Sequence, residues 1–579
     1  MIEPSLQIGG GNWANKSDSL LGYHKDGANF YADELTFSRN SEGSYTDANG
    51  LIQSMPYNLL QQSNSFSTTW VTSSATITGG QSGYDGTNNA WQLTSLTSGG
   101  NIYQSNTQNE QQTFSVYAKG SVSNGIRIYA FGGVNANVYF DLNNGNIGSI
   151  QGAGVTAAIE SVSGGWYKCS ISFNQTNATL RFYPSNNANA MAAGSIYIQD
   201  AQLNQGSTAL PYFATTTRLN LARVDYKDNV NGSLLLEPQR TNLLTYSEQM
   251  DNAAWVKQDS SVTANSTTSP DGTQNADKLV ENDQNQAHYI QANSGSFTAG
   301  SYCLSIFAKA GERSIIQLLM SGSVNADAYA NFDLVNGVIS ASASSTATIQ
   351  SFGNGWYRCN MVFTASSASS PLGFYCIQNS PTATRALNYL GNGTSGIYIY
   401  GAQLEQGSYS TSYIKSEGAA TTRLADSCSG AGNSEVFNDS EGVLFIEAAT
   451  LSELDITARY FQLSDGTITA NGITFRYYTT TNYFQALYYT GGAYQAVLSV
   501  FLSDSSQFNK IAYKYKANDF ALWVNGVKIG TDTSGNTGAV LSNLNFNNNG
   551  FDSFEGKTKQ LLYFNEALSD TELATLTTI

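Results

Sequence analysis

Histidine-dependent chemistry can draw on two side chains in this 579-residue sequence, His24 and His288. A Ser–His–Asp triad needs an imidazole beside its nucleophile, and a multi-histidine zinc site needs several imidazoles together. The two histidines are far apart in the sequence and fall in different predicted modules, so neither kind of site is expected. We interpret His288 as a surface residue of a strand.

Acidic residues are the remaining source of catalytic groups, because a glycosidase needs only two carboxylates at a suitable separation. Glu447 has no paired acids at strand spacing, and Asp552 and Glu555 fall in a predicted loop. We therefore expect no enzymatic activity. A polysaccharide-degrading enzyme is kept as an alternative.

Sugar binding requires exposed aromatic faces beside amide and hydroxyl groups. The C-terminal part of the chain is rich in tyrosines around the Gly491-Gly492 turn, and strand alternation will bury about half of them. We select Tyr489 and Tyr494, which flank that turn, as the exposed pair. Trp91 is a third ligand-binding candidate because Asp277 stands at its counterpart in a second copy of the sequence, although a core role is the alternative.

The elements that must position these residues occur twice in the chain. Short motifs follow one another in the same order in two stretches: Asn58-Leu59-Leu60, Asp85-Gly86-Thr87, Gly165-Trp166-Tyr167-Lys168-Cys169 and Thr216-Thr217-Arg218-Leu219 in the first, and Asn242-Leu243-Leu244, Asp271-Gly272-Thr273, Gly355-Trp356-Tyr357-Arg358-Cys359 and Thr421-Thr422-Arg423-Leu424 in the second. Repetition over about a domain's length indicates tandem modules.

Apolar and polar residues alternate around both Trp-Tyr motifs, as in strands with one buried face. Asn-Gly pairs at Asn144, Asn336 and Asn525 predict hairpins. We therefore predict an all-β fold, with tandem antiparallel jelly-roll β-sandwiches followed by a different sandwich. Cys169 and Cys359 are expected to be buried thiols. Trp166 and Trp356 lie opposite the apolar face, which suits either a cation–π pair or a module-packing contact.

The repeats also set the domain boundaries. Two connectors, each with an Asn-Gly six residues before a Pro, are predicted to be folded hairpins, and Ser569 with Glu572 predicts a helix capping box near the C-terminus. The resulting division is residues 1–35 as an N-terminal anchoring segment, 36–57 as a connector hairpin, 58–218 as module 1, 219–241 as a second connector hairpin, 242–428 as module 2, and 429–579 as the terminal sandwich.

Composition and charge exclude several classes of binding partner. Only 12% of the residues are charged and the net charge is −16, so no basic face is expected for nucleic acid or an anionic membrane. Five cysteines do not form a disulfide framework in a chain of this length. The first residues lack the layout of a signal peptide, and no apolar run is long enough for membrane insertion. These features favour a protein that leaves its cell by lysis, as virion proteins do.

Two groups of motifs resemble known families. Leu522-Trp523-Val524-Asn525-Gly526, followed by Ala567-Leu568-Ser569-Asp570-Thr571-Glu572-Leu573, resembles the closing strands of a laminin G-like, concanavalin A-like domain. The ordered Gly-Trp-Tyr and Ala-Gln-Leu motifs, with Ile8-Gly9-Gly10-Gly11-Asn12-Trp13, resemble bacteriophage fibre proteins that contain tandem carbohydrate-binding-module-like jelly rolls. That resemblance implies a non-enzymatic virion appendage, often oligomeric, whose distal sandwich meets the host surface.

The resemblance also bears on metals and partners. Laminin G-like domains sometimes bind calcium through oxygen ligands, which makes Asp465 and Asp552 candidate ligands, with a solvated turn acid as the alternative for each. No other cofactor is expected. We expect a tail or head fibre on the virion surface, extracellular after lysis, that contacts other virion proteins through its N-terminal segment and a host glycan through its sandwiches. A homo-oligomer, preferably a trimer, is expected; a bacterial surface adhesin is the other alternative.

Overall fold

The computed structural model describes residues 3–16, 19–26, 29–39, 41–55, 57–106, 111–175, 178–186, 189–205, 207–210, 212–215, 219–292, 294–371, 373–452, 459–467, 470–478, 480–548, 550 and 552–579. The fold is all-β, with 56% of residues in strands and 3% in helices. Pro56 and the Thr216-Thr217-Arg218 motif, which mark predicted boundaries, lie outside the described residues.

Module 1 is a sandwich of two antiparallel sheets, as the alternation predicts. One sheet contains, in spatial order, Thr156–Ser161, Tyr167–Asn174, Gln111–Gly120, Gly194–Gln205, Ala90–Ser95 and Ala75–Gln81. The other contains Asn146–Gln151, Ala136–Asp141, Gly125–Phe131, Ala178–Asn186, Asn101–Asn106 and Val71–Ser73, with Ala190–Met191 beside Ala178–Asn186. The apolar side chains of both sheets meet in one core that includes Phe114, Ile128 and Cys169.

Module 2 repeats this architecture. Its first sheet contains Ser260–Thr267, Ala276–Glu281, Gly396–Gln406, Gly300–Ala310, Trp356–Ala365 and Thr346–Ser351. Its second contains Trp255–Gln258, His288–Ala292, Phe374–Gln378, Ile315–Leu319, Tyr329–Asp333 and Val338–Ala343. Short pairs join Asn285–Gln286 to Tyr389–Leu390, and Ser294–Phe297 to Ala368–Pro371. The remaining short elements are a helix at Gly322–Asn325 in module 2 and a 3₁₀ turn at Ser163–Gly165 in module 1.

The terminal sandwich is built from both ends of the chain. Its strands are Leu6–Gly9, Asn15–Lys16, Ser19–Asp26, Asn29–Ser38, Arg223–Asp225, Ser233–Leu236, Ser427–Ala431, Glu441–Thr450, Arg459–Ser464, Gly472–Tyr477, Tyr483–Thr490, Ala493–Phe501, Asn509–Lys516, Phe520–Val524, Val527–Asp532, Asn543–Asn545 and Gly556–Phe564. Strand Leu6–Gly9 pairs with Gly556–Phe564, and Asn29–Ser38 pairs with Ser427–Ala431. Residues 1–35, separated as an anchor on sequence, thus supply strands to this sandwich; their role in virion anchoring stays a prediction.

Both connectors are hairpins, as their Asn-Gly turns predict. Ser44–Thr46 pairs with Ile52–Ser54, and Arg223–Asp225 pairs with Ser233–Leu236, which in turn pairs with Gly556–Phe564. Two further short pairs, Tyr57–Asn58 with Leu219–Asn220 and Arg240–Asn242 with Thr421–Arg423, close the ends of the two modules.

A buried ionic cluster joins the connectors to module 2 and the terminal sandwich. We call it the junction cluster; it contains Arg39, Arg223, Arg423, Glu237 and Asp426, all at most 3% exposed. Nη1 of Arg223 lies 2.6 Å from Oε2 of Glu237, Nη1 of Arg423 lies 2.9 Å from the same oxygen, and Nη1 of Arg39 lies 3.2 Å from Oδ1 of Asp426. Three stretches of the chain, the two connectors and the end of module 2, therefore meet at one set of charges.

Most local predictions are confirmed. Hairpins turn at Asn144, Asn336 and Asn525, both cysteines of the repeats are buried thiols, and the capping box opens helix Asp570–Thr577. Trp356 is 2% exposed and belongs to one buried apolar cluster with Ile52 of the first connector, as the module-packing alternative predicts. Trp166 is also 2% exposed, and its ring lies edge-on to Tyr84 of module 1 at 6.2 Å.

The surface position predicted for His288 is wrong. Its side chain is fully buried, with its ring nitrogens 2.7 and 3.2 Å from the carbonyl oxygens of Asp259 and Tyr389. In the described part of the chain, no helix has the length and apolar character needed to cross a membrane.

Candidate functional site

The structure separates the three aromatic candidates chosen from the sequence. Tyr494 is 66% exposed, but Tyr489 is only 5% exposed, so the predicted exposed pair is wrong. The Tyr489 hydroxyl lies 2.6 Å from Nε2 of Gln462 and 3.2 Å from Oγ1 of Thr474, on neighbouring strands that cover it. A register shift between Tyr488 and Tyr489 displaces the alternation on which the choice depended.

Trp91 takes the core role that was its alternative. It packs against the module 1 core, with its ring edge-on to Phe66 at 6.3 Å. Its indole N–H donates to the carbonyl of Asn64 at 3.0 Å. Both the ring and the N–H group of Trp91 are therefore used in contacts within module 1.

The two calcium candidates lie in turns. Oδ1 of Asp465 accepts hydrogen bonds from the backbone N–H and hydroxyl of Thr467 at 2.9 and 2.5 Å, and its Oδ2 accepts from Asn471 at 2.8 Å. Asp552 is exposed, with a φ of 45°. No cluster of three or more potential metal-binding side chains occurs in the described ranges; calcium binding stays a prediction.

A different surface combines aromatic rings, of which Phe131 is exposed and Tyr103 and Tyr129 are partly exposed, with two arginines that form no ion pair within the described residues. It is the outer face of the second sheet of module 1, and we call it the arginine–aromatic face. Its core-facing neighbours Ile126, Ile128 and Ala130 are buried, so strand alternation turns the intervening residues outward. The face consists of Tyr103, Arg127, Tyr129, Phe131, Tyr139, Arg181 and Tyr183.

Strand register arranges these residues in two rows. The first row runs across five adjacent strands through Tyr103, Arg181, Tyr129, Asn137 and Gln151, each paired with the next. With ~4.8 Å between strands, it spans about 19 Å. The second row places Arg127 between Tyr183 and Tyr139. Arginine and tyrosine therefore alternate in both directions over the face.

Each guanidinium lies against aromatic rings. The Cζ atom of Arg127 is 4.4 Å from the ring centroid of Tyr129 and 5.0 Å from that of Tyr183, and Cζ of Arg181 is 5.0 Å from that of Phe131. Such contacts hold a guanidinium plane in place through cation–π attraction. Phe131 is 48% exposed, and both arginines are partly exposed. The face therefore offers fixed N–H donors beside accessible ring surface.

Few of these donors are used within the protein. Nε of Arg127 donates to Oδ1 of Asn137 at 2.8 Å, and its Nη1 donates to Sδ of Met191 at 3.0 Å. Nη1 of Arg181 donates to the Tyr183 hydroxyl at 3.3 Å. Nε of Arg181 is buried and has no hydrogen-bond partner in the described structure. A guanidinium carries five N–H groups, and those that are neither buried nor used in these contacts remain for a ligand.

The matching face of module 2 is covered by its own chain. Gln317 and Asn331, at the register positions of Arg127 and Tyr139, are both fully buried. Nδ2 of Asn331 donates to the carbonyl of Ala383 at 2.7 Å, and Oε1 of Gln317 accepts from the backbone N–H of Ala386 at 2.7 Å. The segment 380–388 therefore lies over this face, with polar contacts to the residues that replace the arginine and tyrosine.

The terminal sandwich carries a smaller aromatic cluster. The ring of Phe501, 68% exposed, lies 4.8 Å from that of Tyr483, which is 6.4 Å from that of Tyr478. Cζ of Arg476 lies 4.6 Å from the centroid of Tyr478. Exposed aromatics thus do occur in the terminal sandwich, on different residues from those selected.

Two cavities with acidic side chains in their walls lie where the domains meet. A cleft of about 770 Å³ lies between the connectors, module 2 and the terminal sandwich. Its Lys557 lies 3.2 Å from Asp225, and its Glu237 belongs to the junction cluster, so these charges are satisfied within the protein. A smaller pocket of about 270 Å³ contains Glu248 and Asp271, whose carboxylates lie 2.9 and 3.0 Å from the Tyr400 hydroxyl.

Sequence reasoning missed the arginine–aromatic face although a signal was present. Arg127-Ile128-Tyr129-Ala130-Phe131 alternates polar or aromatic residues with aliphatic ones, and Arg181 precedes Phe182-Tyr183. The strands that carry them are about 50 residues apart, and their pairing is needed to bring the two arginines onto one face.

Comparison with known proteins gives likeness in solved structures alone: no family model and no curated protein matches the chain. Similar structures include the CBM40 of the Ruminococcus gnavus IT-sialidase bound to α2,3-sialyllactose, at 19% identity over 26% of this chain and 93% of that one, with a TM-score of 0.22. Mouse laminin α1 domains LG4-5 match at 12% identity over 49% and 89%, with a TM-score of 0.17. Trypanosoma rangeli sialidase matches at 10% identity over 93% and 98%, with a TM-score of 0.20. These likenesses concern the β-sandwich fold.

Proposed function

We propose that this protein is a non-enzymatic attachment protein that binds a glycan through the arginine–aromatic face of module 1. The observation that carries the proposal is the alternation of arginine and aromatic residues on this sheet face, where Phe131 is 48% exposed and Tyr103, Tyr129 and both arginines are partly exposed. Aromatic rings accept the apolar face of a sugar, and guanidinium N–H groups donate to its oxygens.

The covered face of module 2 supports this assignment. There the chain's own backbone carbonyls and N–H groups occupy the surface, and the arginines are replaced by Phe374 and Gln317. One repeat thus uses this face for internal packing, while its homologue presents charged donors.

The test compares binding of the full chain and variants to envelope polysaccharide extracted from candidate host bacteria. We expect Tyr129→Ala and Phe131→Ala each to weaken binding about ten-fold, since stacking contacts contribute about 1 kcal/mol or more. Phe374→Ala, on the matching strand of module 2, is the control and should bind like the wild type. Equal binding by all three variants and the wild type would refute the assignment to module 1.

We further propose that the protein acts as a phage tail or head fibre, preferably a trimer, on the virion surface. The support is the order of its fibre-like motifs and its two-module design, in which oligomerisation raises a weak single-site affinity. Antibodies against the protein should label purified phage particles and block their adsorption to the host. Sedimentation of the purified chain should give three times the monomer mass. Unlabelled particles from a phage that encodes the protein would contradict the virion role.

Glycoside hydrolysis is the second candidate, because the pocket at Tyr400 holds Glu248 and Asp271 on one hydroxyl. Two nearby carboxylates are the groups that this reaction requires. The measurement is the appearance of new reducing ends when the chain is incubated with bound polysaccharide. We expect none; release that disappears in Glu248→Gln would establish the enzyme instead.

A further inference from the structure

The two arginines of the arginine–aromatic face have no acidic partner. In the described part of the chain neither forms an ion pair, whereas Arg223, Arg313 and Arg459 each lie within 3.2 Å of a carboxylate oxygen. A guanidinium that lies against aromatic rings can still direct its remaining N–H groups at a ligand. Such a guanidinium is suited to bidentate contact with a carboxylate.

The acid on strand Ala136–Asp141 does not reach the arginines. Oδ1 of Asp141 accepts from the backbone N–H groups of Asn143 and Asn144 at 2.9 and 3.3 Å, and its Oδ2 accepts from the Asn144 side chain at 2.9 Å. These bonds complete the hairpin turn and hold the carboxylate at the end of the strand.

Module 1 also differs in charge from the rest of the chain. Residues 58–218 contain five acids and five bases, which cancel: Asp85, Glu110, Asp141, Glu160 and Asp200 against Lys119, Arg127, Lys168, Arg181 and Arg218. The net charge of −16 therefore belongs entirely to the other parts. An anion that approaches module 1 meets no net repulsion from that module, and the cations on this sheet face lie together.

We propose that the arginine–aromatic face binds a saccharide that carries carboxylate groups, such as a uronic-acid polymer. This inference rests on the proposed glycan-binding function and names its ligand class. The apolar side of one sugar ring lies against Phe131 or Tyr129, and its carboxylate accepts hydrogen bonds from Arg181 or Arg127. Both guanidinium groups contact Tyr183, Arg127 at its ring and Arg181 at its hydroxyl, so neighbouring acidic residues of one polymer would meet both.

The test measures affinity of the full chain for polygalacturonate, alginate and hyaluronate, each beside its methyl-esterified form. Dextran sulfate serves as a polyanion without carboxylates, and the extracted host polysaccharide of the previous test is included. We expect at least one uronate polymer to bind ten-fold or more tightly than its ester and than dextran sulfate.

Two variants test whether the arginines of this face are responsible for uronate binding. Arg127→Gln/Arg181→Gln keeps side-chain amides but removes both charges, and it should weaken uronate binding at least ten-fold, since hydrogen bonds to charged groups contribute about 1.5–3 kcal/mol each. Lys119→Gln removes one charge from the other sheet of module 1 and should leave binding unchanged. Unchanged thermal unfolding of both variants shows that the sheet is intact.

Each other outcome decides against the inference. Equal binding of polymer and ester, equal binding of dextran sulfate, no binding of any uronate polymer, or an unaffected double variant would overturn it. If the host polysaccharide still binds and that binding needs Phe131, glycan binding stands and only the acidic ligand class fails. If nothing binds the face, both proposals fail.

Discussion

Asp200 shows how one residue can make module 1 sensitive to pH. Burial raises the pKa of Asp200 to about 6, and the nearby charge of Asp85 acts in the same direction, against the hydrogen bond donated by Tyr84 at 2.8 Å. The pKa of Asp200 is higher in the folded than in the unfolded protein, so the protonated side chain stabilises the fold. This stabilisation is complete below about pH 4 and is lost as the pH rises through about 6.

The corresponding prediction uses Asp200→Asn, which mimics the protonated acid and tolerates the φ of 54° at this position. We expect the variant to be more stable than the wild type at pH 7 by about 1–2 kcal/mol after solvent screening, and equal to it at pH 4. Calorimetric unfolding at pH 4, 5.5 and 7 measures the difference. A difference that does not change with pH would show that the carboxylate keeps its ordinary pKa.

Among the elements, the N-terminal strands are the ones whose loss should matter most to the terminal sandwich. Leu6, Ile8, Leu20, Leu35 and Phe37 are at most 1% exposed and belong to its core. Full burial of each such side chain contributes roughly 1.5–3 kcal/mol. A fragment of residues 427–579 should therefore aggregate or unfold without cooperativity, and fusion of residues 3–38 and 222–236 through flexible linkers should restore a single thermal transition. Cooperative unfolding of the unfused fragment would contradict this.

The capping box gives a smaller prediction for the C-terminal helix. The Ser569 side chain accepts from the backbone N–H of Glu572, while buried Leu573 fixes the helix to the sheet. We expect Ser569→Ala to destabilise the terminal sandwich by about 1 kcal/mol, and Ser569→Thr to be nearly neutral because it keeps the cap. Chemical denaturation of the full chain measures both, and an equal loss in the two variants would exclude the cap as the cause.

Local sequence signals predicted the individual strands and turns, but no such signal indicates which strands pair when they lie far apart in the sequence. Asn-Gly turns identified the hairpins because two residues determine that backbone. The pairing of Leu6–Gly9 with Gly556–Phe564 carries no comparable local mark, so residues 1–35 looked separate. For the same reason Arg127 and Arg181 were not recognised as neighbours, and a single register shift beside Tyr489 misdirected the choice of exposed tyrosines.

At the scale of the whole molecule, the junction cluster holds the domains together. Asp426 accepts from Arg39, from Arg223 and from the backbone N–H of Glu237. Burial raises the pKa of Glu237, but Arg423 and Arg223 outweigh it and hold that pKa far below its usual range. The Glu237 carboxylate therefore remains ionised well into acid.

Removing one carboxylate should uncouple the domains. Asp426→Asn leaves three buried guanidinium groups with one acid, and we expect a loss of about 3–5 kcal/mol and earlier proteolysis in the connectors. Glu441→Gln, which breaks a more exposed pair with Lys516 at 2.9 Å, is the control and should cost less than about 1 kcal/mol. Similar losses in both variants would mean that the cluster does not join the domains.

The closure of the terminal sandwich by both chain ends has a consequence for synthesis on the ribosome. The Asn565 backbone N–H bonds to the Ser5 hydroxyl across 560 residues of sequence. At about 5–20 residues per second, strand Leu6–Gly9 emerges roughly half a minute to two minutes before its partner. Modules 1 and 2 can complete their sheets in that interval, while the first strands wait with apolar side chains unburied. Nascent chains are thus most exposed to aggregation at their oldest end, and a chaperone would act there.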